Sequence, residues 1–530
     1  MRKIAFGFAA AFFAVASLFA VSVDEAELRS VDQTIVFENY TGPHAVVSTL
    51  EQIRAIGTTL GQAVASNIDT AGTTGGGQKY SVIHAIDPST KEKLDADILI
   101  LSADAGVDHI RNLRQIIAGY LSAAYGYSSS DALTIATFIT VYNAVYRKNL
   151  DAFKSKYKAV VTDNLTAEKA GLSTKYTEWP GNTQIVIPVS DVSGGLSSVD
   201  TSVISDKEVI SSMQEDDDKN IDARKEMVDI KEREAEQATE KAQEAQKEAT
   251  EAQKKADEEK AKLEEKKEET RQAEEKAQEA QKKADENPDD KQAQEEAKQA
   301  QEEAEAAREE EAQQEEKAKE AQEEADEAKQ TASEQQAVAD KKQSEAQEER
   351  KTIAQDQKVV EKTEEAASNA PSVYGLNLSS ANSMDSVIVK VNTNDGTILQ
   401  KSEIDVIKNR TMFPVGGGFL AVAGSNSGKG AVKLVIIDQN SLEIMKESEE
   451  VLSDNSMLIQ DGGNYLVIVN ESKSCFVAKY DSNLKLLKKS PVSVSPNSPI
   501  VRTSAGYMVT DAAGQPLILD LNELTITAKQ

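Results

Sequence analysis

Three histidines, one cysteine and a scatter of aspartates are the side chains of this chain best suited to chemistry. His44, His84 and His109 would suffice for a three-imidazole metal centre, but their wide separations match no helix-borne zinc pattern. Asp104, Asp108 and His109 fall close together in the chain, and acid–base work in a hydrolase would need such neighbours. The same residues also suit a strand-to-helix junction, where the helix dipole favours aspartate without catalysis. The expectation is a polar cluster at Asp104, Asp108 and His109, with no catalytic residue, no metal ligands and no cofactor. Cys475 has no second cysteine to pair with, and between Ser474 and Phe476 it reads as a small buried hydrophobe.

Other motifs are weaker. Ala71–Gly77 is a glycine-rich turn without the Lys-Ser/Thr pair of a phosphate loop. Gly424–Gly430 lies between apolar runs and reads as a hairpin loop. The acidic run Glu215–Asp218 lacks the glycine and closing glutamate of a calcium loop. Asp395, Asp438, Asp481 and Asp520 recur at nearly even spacing, each after an apolar run, where aspartate satisfies turn amides. Tyr40, Tyr120, Tyr125, Tyr127, Tyr142, Tyr146 and Tyr157 point to a packed or binding surface, because the ring buries while the hydroxyl stays polar.

The elements that would position these residues fall into segments. Residues 1–22 read as a secretory signal: Arg2 and Lys3, then the apolar stretch Ile4–Phe19, then Ala20 and Ser22 as alternative cleavage points. An uncleaved anchor is the other reading, and the absence of a cysteine there argues against lipidation. No later run could span a bilayer as a helix, so the expected location is the periplasm or cell envelope. Residues 23–199 read as an α+β or mixed α/β domain. Strands are expected at Val31–Tyr40, Lys79–Ile86, Asp97–Leu101 and Thr183–Val189, and helices at Val46–Ala65, Val107–Ala124, Ser130–Tyr146 and Leu150–Val161. The first helix carries Leu50, Ile53, Ile56 and Leu60 on one side.

Residues 200–370 are rich in Glu, Lys, Gln and Ala, which are strong helix formers. Alanines at Ala235, Ala238, Ala242, Ala245, Ala249, Ala252 and Ala256 step by threes and fours, which defines a long helix with a shallow apolar stripe. Lys241–Lys247 is echoed by Lys276–Lys282 in the same heptad phase. Pro288, within the break at 287–290, divides the stretch into limbs on the order of 80–110 Å each. An extended rod is the leading expectation. A hairpin folded at Pro288 and a weak oligomer remain open, the hairpin opposed by repulsion between two acidic limbs. Residues 371–530 return to short β-branched and aromatic runs, and their repeat length predicts an all-β, propeller-like domain, with a plain sandwich as the alternative.

A net charge of −30 opposes binding to nucleic acid. Several runs of the amino-terminal segment resemble the spirochaetal P83/100 antigen family. They are Asn39-Tyr40-Thr41-Gly42, Leu94–Ile98, Val107–Arg114, Tyr142–Arg147 and Glu178–Pro188. The order of signal, amino-terminal domain, charged helical middle and strand-rich end agrees with it. The resemblance implies an exported spirochaete protein known mainly as an antigen, and it transfers no active site. The resulting expectation is a non-enzymatic structural or interaction protein that holds two end domains apart on a helical spacer. Its partner would be an envelope or host protein, and the spacer allows weak self-association. A periplasmic peptide- or glycan-binding module is the alternative, and a hydrolase in the amino-terminal domain a more distant one.

Overall fold

A computed structural model describes residues 35–67, 72–90, 93–190 and 198–529, so the expected signal segment lies outside the described residues. The chain divides into two compact units. One contains both end segments, up to Lys219 and from Lys358 onward, and the other is Asn220–Gln357.

In the amino-terminal segment, β1 (Thr73–Gly76), β2 (Tyr80–Ala85), β3 (Asp95–Leu101) and β4 (Thr183–Val189) form one antiparallel sheet in the order β1-β2-β3-β4. Every residue of β4 is buried, which its sequence Thr-Gln-Ile-Val-Ile-Pro-Val suits. The main helices are α1 (Leu50–Ala65), α2 (Ile110–Tyr125) and α3 (Ser129–Val145). Side-chain caps start all three: Thr49 in a capping box, His109, and Ser128. The helix expected over 150–161 is broken at Tyr157 into α4 (Leu150–Lys156) and α5 (Ala159–Thr162). Two further short helices follow, α6 (Thr201–Ile204) and α7 (Lys207–Gln214).

The α1–α2 contact rests on glycine. A Cβ on Gly57 would lie 1.8 Å from the Ile116 carbonyl oxygen, and one on Gly119 would lie 2.4 Å from that of Arg54. These helices therefore touch backbone to backbone. The buried face of α1 is Gly57, Leu60, Gly61 and Val64, while Leu50 is exposed and Ile53 and Ile56 are only half-buried. The apolar stripe expected on α1 is thus only partly its core face.

The second unit is a helical hairpin, not the extended rod that composition favoured. Helix α8 (Ile221–Glu286) and helix α9 (Lys291–Asn369) are joined at Asn287–Asp290, with Pro288 in the turn. Asp290 restarts the helix by accepting from the Gln292 and Ala293 amides. Ala242 packs with Ala339, Ala249 with Ala332 and Ala256 with Ala325. One limb advances a heptad as the other retreats a heptad, so the stripe is an antiparallel seam. Each alanine methyl contributes only about 0.8 kcal/mol on burial, but small side chains let the limbs lie close along their length. The repulsion that argued against a hairpin is offset by cations placed across the seam. Lys255 meets Glu324 at 2.8 Å, Lys266 meets Glu310 at 2.7 Å, and Arg308 meets Glu274 at 2.7 Å. Near the open end, fully buried Arg224 lies 2.8 Å from Glu349 and 2.7 Å from Asp356.

The carboxy-terminal segment is all-β, but the propeller-like reading is overturned because its sheets are open. The first sheet has seven strands: β5 (Ser372–Leu378), β6 (Ser386–Asn392), β7 (Ile398–Lys401), β8 (Ile407–Val415), β9 (Gly418–Gly424), β10 (Val432–Asp438) and β11 (Ile444–Glu447). Two four-stranded meanders follow: β12 (Ile459–Asp461), β13 (Asn464–Glu471), β14 (Ser474–Tyr480) and β15 (Leu486–Lys489), then β16 (Val501–Thr503), β17 (Gly506–Thr510), β18 (Pro516–Leu519) and β19 (Ile526–Lys529). The physical departure is in β8. Its register shifts between Ile407 and Met412, where Asn409 and Arg410 take left-handed φ values of 57° and 51°. This bulge lets β8 pair with both β6 and β9, fusing two repeats into one sheet.

Within these open sheets the strand faces alternate and the turn chemistry recurs. On β9, Leu420 and Val422 face one core cluster, while Phe419, Ala421 and Ala423 face another. Asp438 caps its turn by accepting from the Asn440 and Ser441 amides, and Asp520 does the same with Asn522 and Glu523. Asp481 accepts from Asn483 and Lys485, and Asp395 from Thr397. After three of these turns stands a buried leucine with positive φ: Leu442 (56°), Leu484 (61°) and Leu524 (56°).

Candidate functional site

A strap running from Asn39 to Ala45 joins the two end segments directly. Tyr40 N–H donates to the Asp108 carbonyl at 2.8 Å, and the Asn39 side chain accepts from the Ile110 amide at 2.7 Å. Toward the β segment, the Thr41 hydroxyl donates to the Glu403 carbonyl at 2.7 Å. The Ala45 amide donates to the Lys429 carbonyl, and the Ala431 amide to the Pro43 carbonyl, both at 2.8 Å. The Tyr40 hydroxyl donates to the Pro43 carbonyl at 2.8 Å, and burial pushes its pKa up to about 12. These bonds correct the spacer reading: the end domains are in contact and are not held apart by the helices.

Beside the strap is a cleft of about 400 Å³. Val46 and Val47 line one wall with Ile53 and Ile56 of α1, and Ile116 of α2 lies deeper. Tyr80 enters from β2 and Lys79 from the turn just before it, Gly106 and Asp108 from the loop after β3, and Lys429 from the β9–β10 loop. The Gly424–Gly430 loop is thus a hairpin connection, as expected, and it delivers a lysine to the cleft. His44 Nε2–H donates to Asp108 Oδ2 at 3.0 Å, and the His44 ring stands edge-on to Tyr40. The Tyr80 hydroxyl accepts from the Gly106 amide at 3.3 Å, and burial raises its pKa.

The expected cluster divides three ways. Asp108 faces the cleft and its carboxylate is engaged by His44. His109 serves α2: its Nδ1 accepts from the Arg111 amide at 3.1 Å. Burial first, then the nearby Arg111 charge, lowers its pKa to about 4, so the ring is neutral at neutral pH. Asp104 lies in an exposed turn, outside the His44–Asp108 pair.

His84 belongs to a different place, which the sequence reading did not single out. Its Nδ1–H donates to Asp97 Oδ1 at 2.5 Å, and the Tyr120 hydroxyl donates to Asp97 Oδ2 at 2.5 Å. The Tyr125 hydroxyl donates to the same oxygen. His84 and Asp97 are fully buried, and both tyrosine hydroxyls are held far above their ordinary pKa by burial and by the Asp97 charge. This is a packed polar core with no accessible reacting atom. The signal for it is register: His84 pairs with Asp97 across β2 and β3.

Among the described residues, no group of three or more His, Cys, Asp or Glu side chains is placed to hold a metal ion. Cys475 is buried, and burial raises the pKa of its thiol, which opposes nucleophilic use. No helix among the described residues is long and apolar enough to cross a membrane.

Compared with known families, residues 25–500 match the Borrelia P83/100 protein. The chain belongs to that family. A search of curated proteins gives no match. The P83/100 match covers the strap, the cleft, the hairpin and most of the β segment, so the family relation rests on far more than charged helical composition.

Proposed function

We propose that this P83/100 chain is a non-catalytic structural or interaction protein, exported to the periplasm or cell envelope, which engages an envelope or host protein. The observation that carries the proposal is the alanine-seamed hairpin, with limbs of 66 and 79 residues. Its small seam residues and charged outer faces supply length rather than a reacting group. The unit made by the end segments supplies shaped surface. The Asp108–His109 region supports this reading, because Asp108 is engaged by His44 and His109 caps a helix. With charged outer faces, self-association of the hairpin would be weak and salt-sensitive.

The test is site-specific photo-crosslinking of the full chain in intact cells, with probes on the outer hairpin face and on the end-segment unit. The expected result is one envelope or host protein recovered from several probe positions and binding the purified chain directly. Recovery of nothing from any position, or hydrolytic turnover by the purified chain, would overturn the proposal. A second reading, a periplasmic ligand-binding module, is favoured by the cleft beside the strap.

A further inference from the structure

The cleft combines two features that the partner reading leaves unused. Lys79 and Lys429 line it, are exposed, and have no carboxylate partner among the described residues. The only carboxylate in the lining, Asp108, is engaged by His44. In a chain of net charge −30, this is a local cationic site. Beside it, Val46 and Val47 are 78% and 73% exposed, and Ile53 and Ile56 continue the apolar wall. Gly106 makes room for the cation: a Cβ there would lie 2.0 Å from Lys429 Nζ.

We infer that the cleft binds a single-chain aliphatic carboxylate, with the carboxylate between Lys79 and Lys429 and the tail along Val46, Val47, Ile53 and Ile56. Charge complementarity selects the head, and the exposed valines gain burial from the tail. The volume of about 400 Å³ falls within the ~300–1,000 Å³ usual for small-ligand clefts. Asn112, which also lines the cleft, offers an amide to a second carboxylate oxygen. The inference goes beyond the partner proposal and does not depend on it.

The test is isothermal titration of the full chain with decanoate, decanol and acetate, each below its aggregation concentration, and with anionic lipid vesicles. Decanoate is expected to bind at least about tenfold more tightly than decanol or acetate, the scale of one charge-assisted hydrogen bond. The double variant Lys79→Met with Lys429→Met is expected to lose that advantage while binding decanol as before. Gly106→Ala, which displaces Lys429, is expected to weaken decanoate alone. Both lysines are exposed, so an unchanged melting temperature confirms that the double variant is folded. Equal binding of decanoate and decanol, undiminished decanoate binding by the double variant, binding to vesicles but not to monomeric decanoate, or no binding at all would each overturn the inference.

Discussion

Two pairs of helices in this protein bring their backbones close by different means. Helices α1 and α2 meet at points, where Gly57 and Gly119 leave no room for even a methyl group. Helices α8 and α9 meet along a line, where alanines repeat every heptad and each contact resembles the next. A point contact fixes one geometry and tolerates nothing larger. A line contact spreads its stability over many small increments, so a local error can be absorbed by local bowing. The hairpin compensates for its shallow seam at one end with charge, through buried Arg224 between Glu349 and Asp356.

The largest expected effect tests that charged end. Arg224→Ala leaves two carboxylates facing a buried gap and should cost about 3–5 kcal/mol locally. Hydrogen exchange should show it as faster exchange near Ile221 and Ile353, with little change beside Pro288. Uniform acceleration along both limbs would mean that the seam has no independent segments. Next comes the point contact. Gly57→Ala should destabilise the end-segment unit toward the upper end of the ~1–3 kcal/mol seen for overpacking, although alanine is the better helix former. A denaturation midpoint equal to or above the parent would show that α1 can move away from α2. Ala325→Leu, at a fully buried seam position, should cost less than Gly57→Ala, within the lower part of the same ~1–3 kcal/mol range. If it costs more, the seam is as rigid as the glycine contact and the contrast fails.

The smallest effect is in pH dependence. The folded pKa of His109, about 4, lies below its ordinary 6.5, so the unfolded chain binds the proton more readily. The stability this contributes is complete above about pH 6.5 and is lost as pH falls toward 4. His109→Asn keeps a cap acceptor but cannot titrate, and should flatten the stability profile between those values. A parallel profile for parent and variant in urea titrations would refute the assignment.

Much of this architecture is written in local pattern. The alternation of Lys79–Ile86, the serine cap before α3 and the alanine heptads each specify an element from neighbouring residues alone. What the sequence conceals is pairing at a distance. Nothing near Lys266 signals that Glu310 will stand opposite, so the hairpin looked more repulsive than it is. Gly57 carries no hydrophobic signal, so the stripe legible in α1 is Leu50, Ile53, Ile56 and Leu60, of which only Leu60 lies on the buried face. The capped turns are legible in Asp438, Asp481 and Asp520, whereas the joining of β5–β11 into one wide open sheet depends on the left-handed backbone of Asn409 and Arg410. The cleft was hidden for the same reason as the ion pairs. His44, Lys79, Gly106 and Lys429 are brought together by the strap and by three connections, and of the cleft residues the sequence marks only His44, as one of three scattered histidines, and Asp108, as part of a polar cluster.

The uniformity of the alanine seam has a consequence for how the hairpin finds its register. A shift of one limb by a single heptad moves it about 10 Å and sets alanines against alanines again. The seam is therefore a ratchet with nearly equivalent teeth, and most of its residues carry no address. The addresses are few: the turn at Pro288 and Asp290, the larger seam residues Leu263, Thr270 and Ile353, the cross-seam ion pairs such as Lys266–Glu310, and the Arg224 clasp at the open end. Loosening these while leaving every alanine in place would give a hairpin that stays helical and compact but occupies several registers. Its length would then be set by where the ratchet happened to stop.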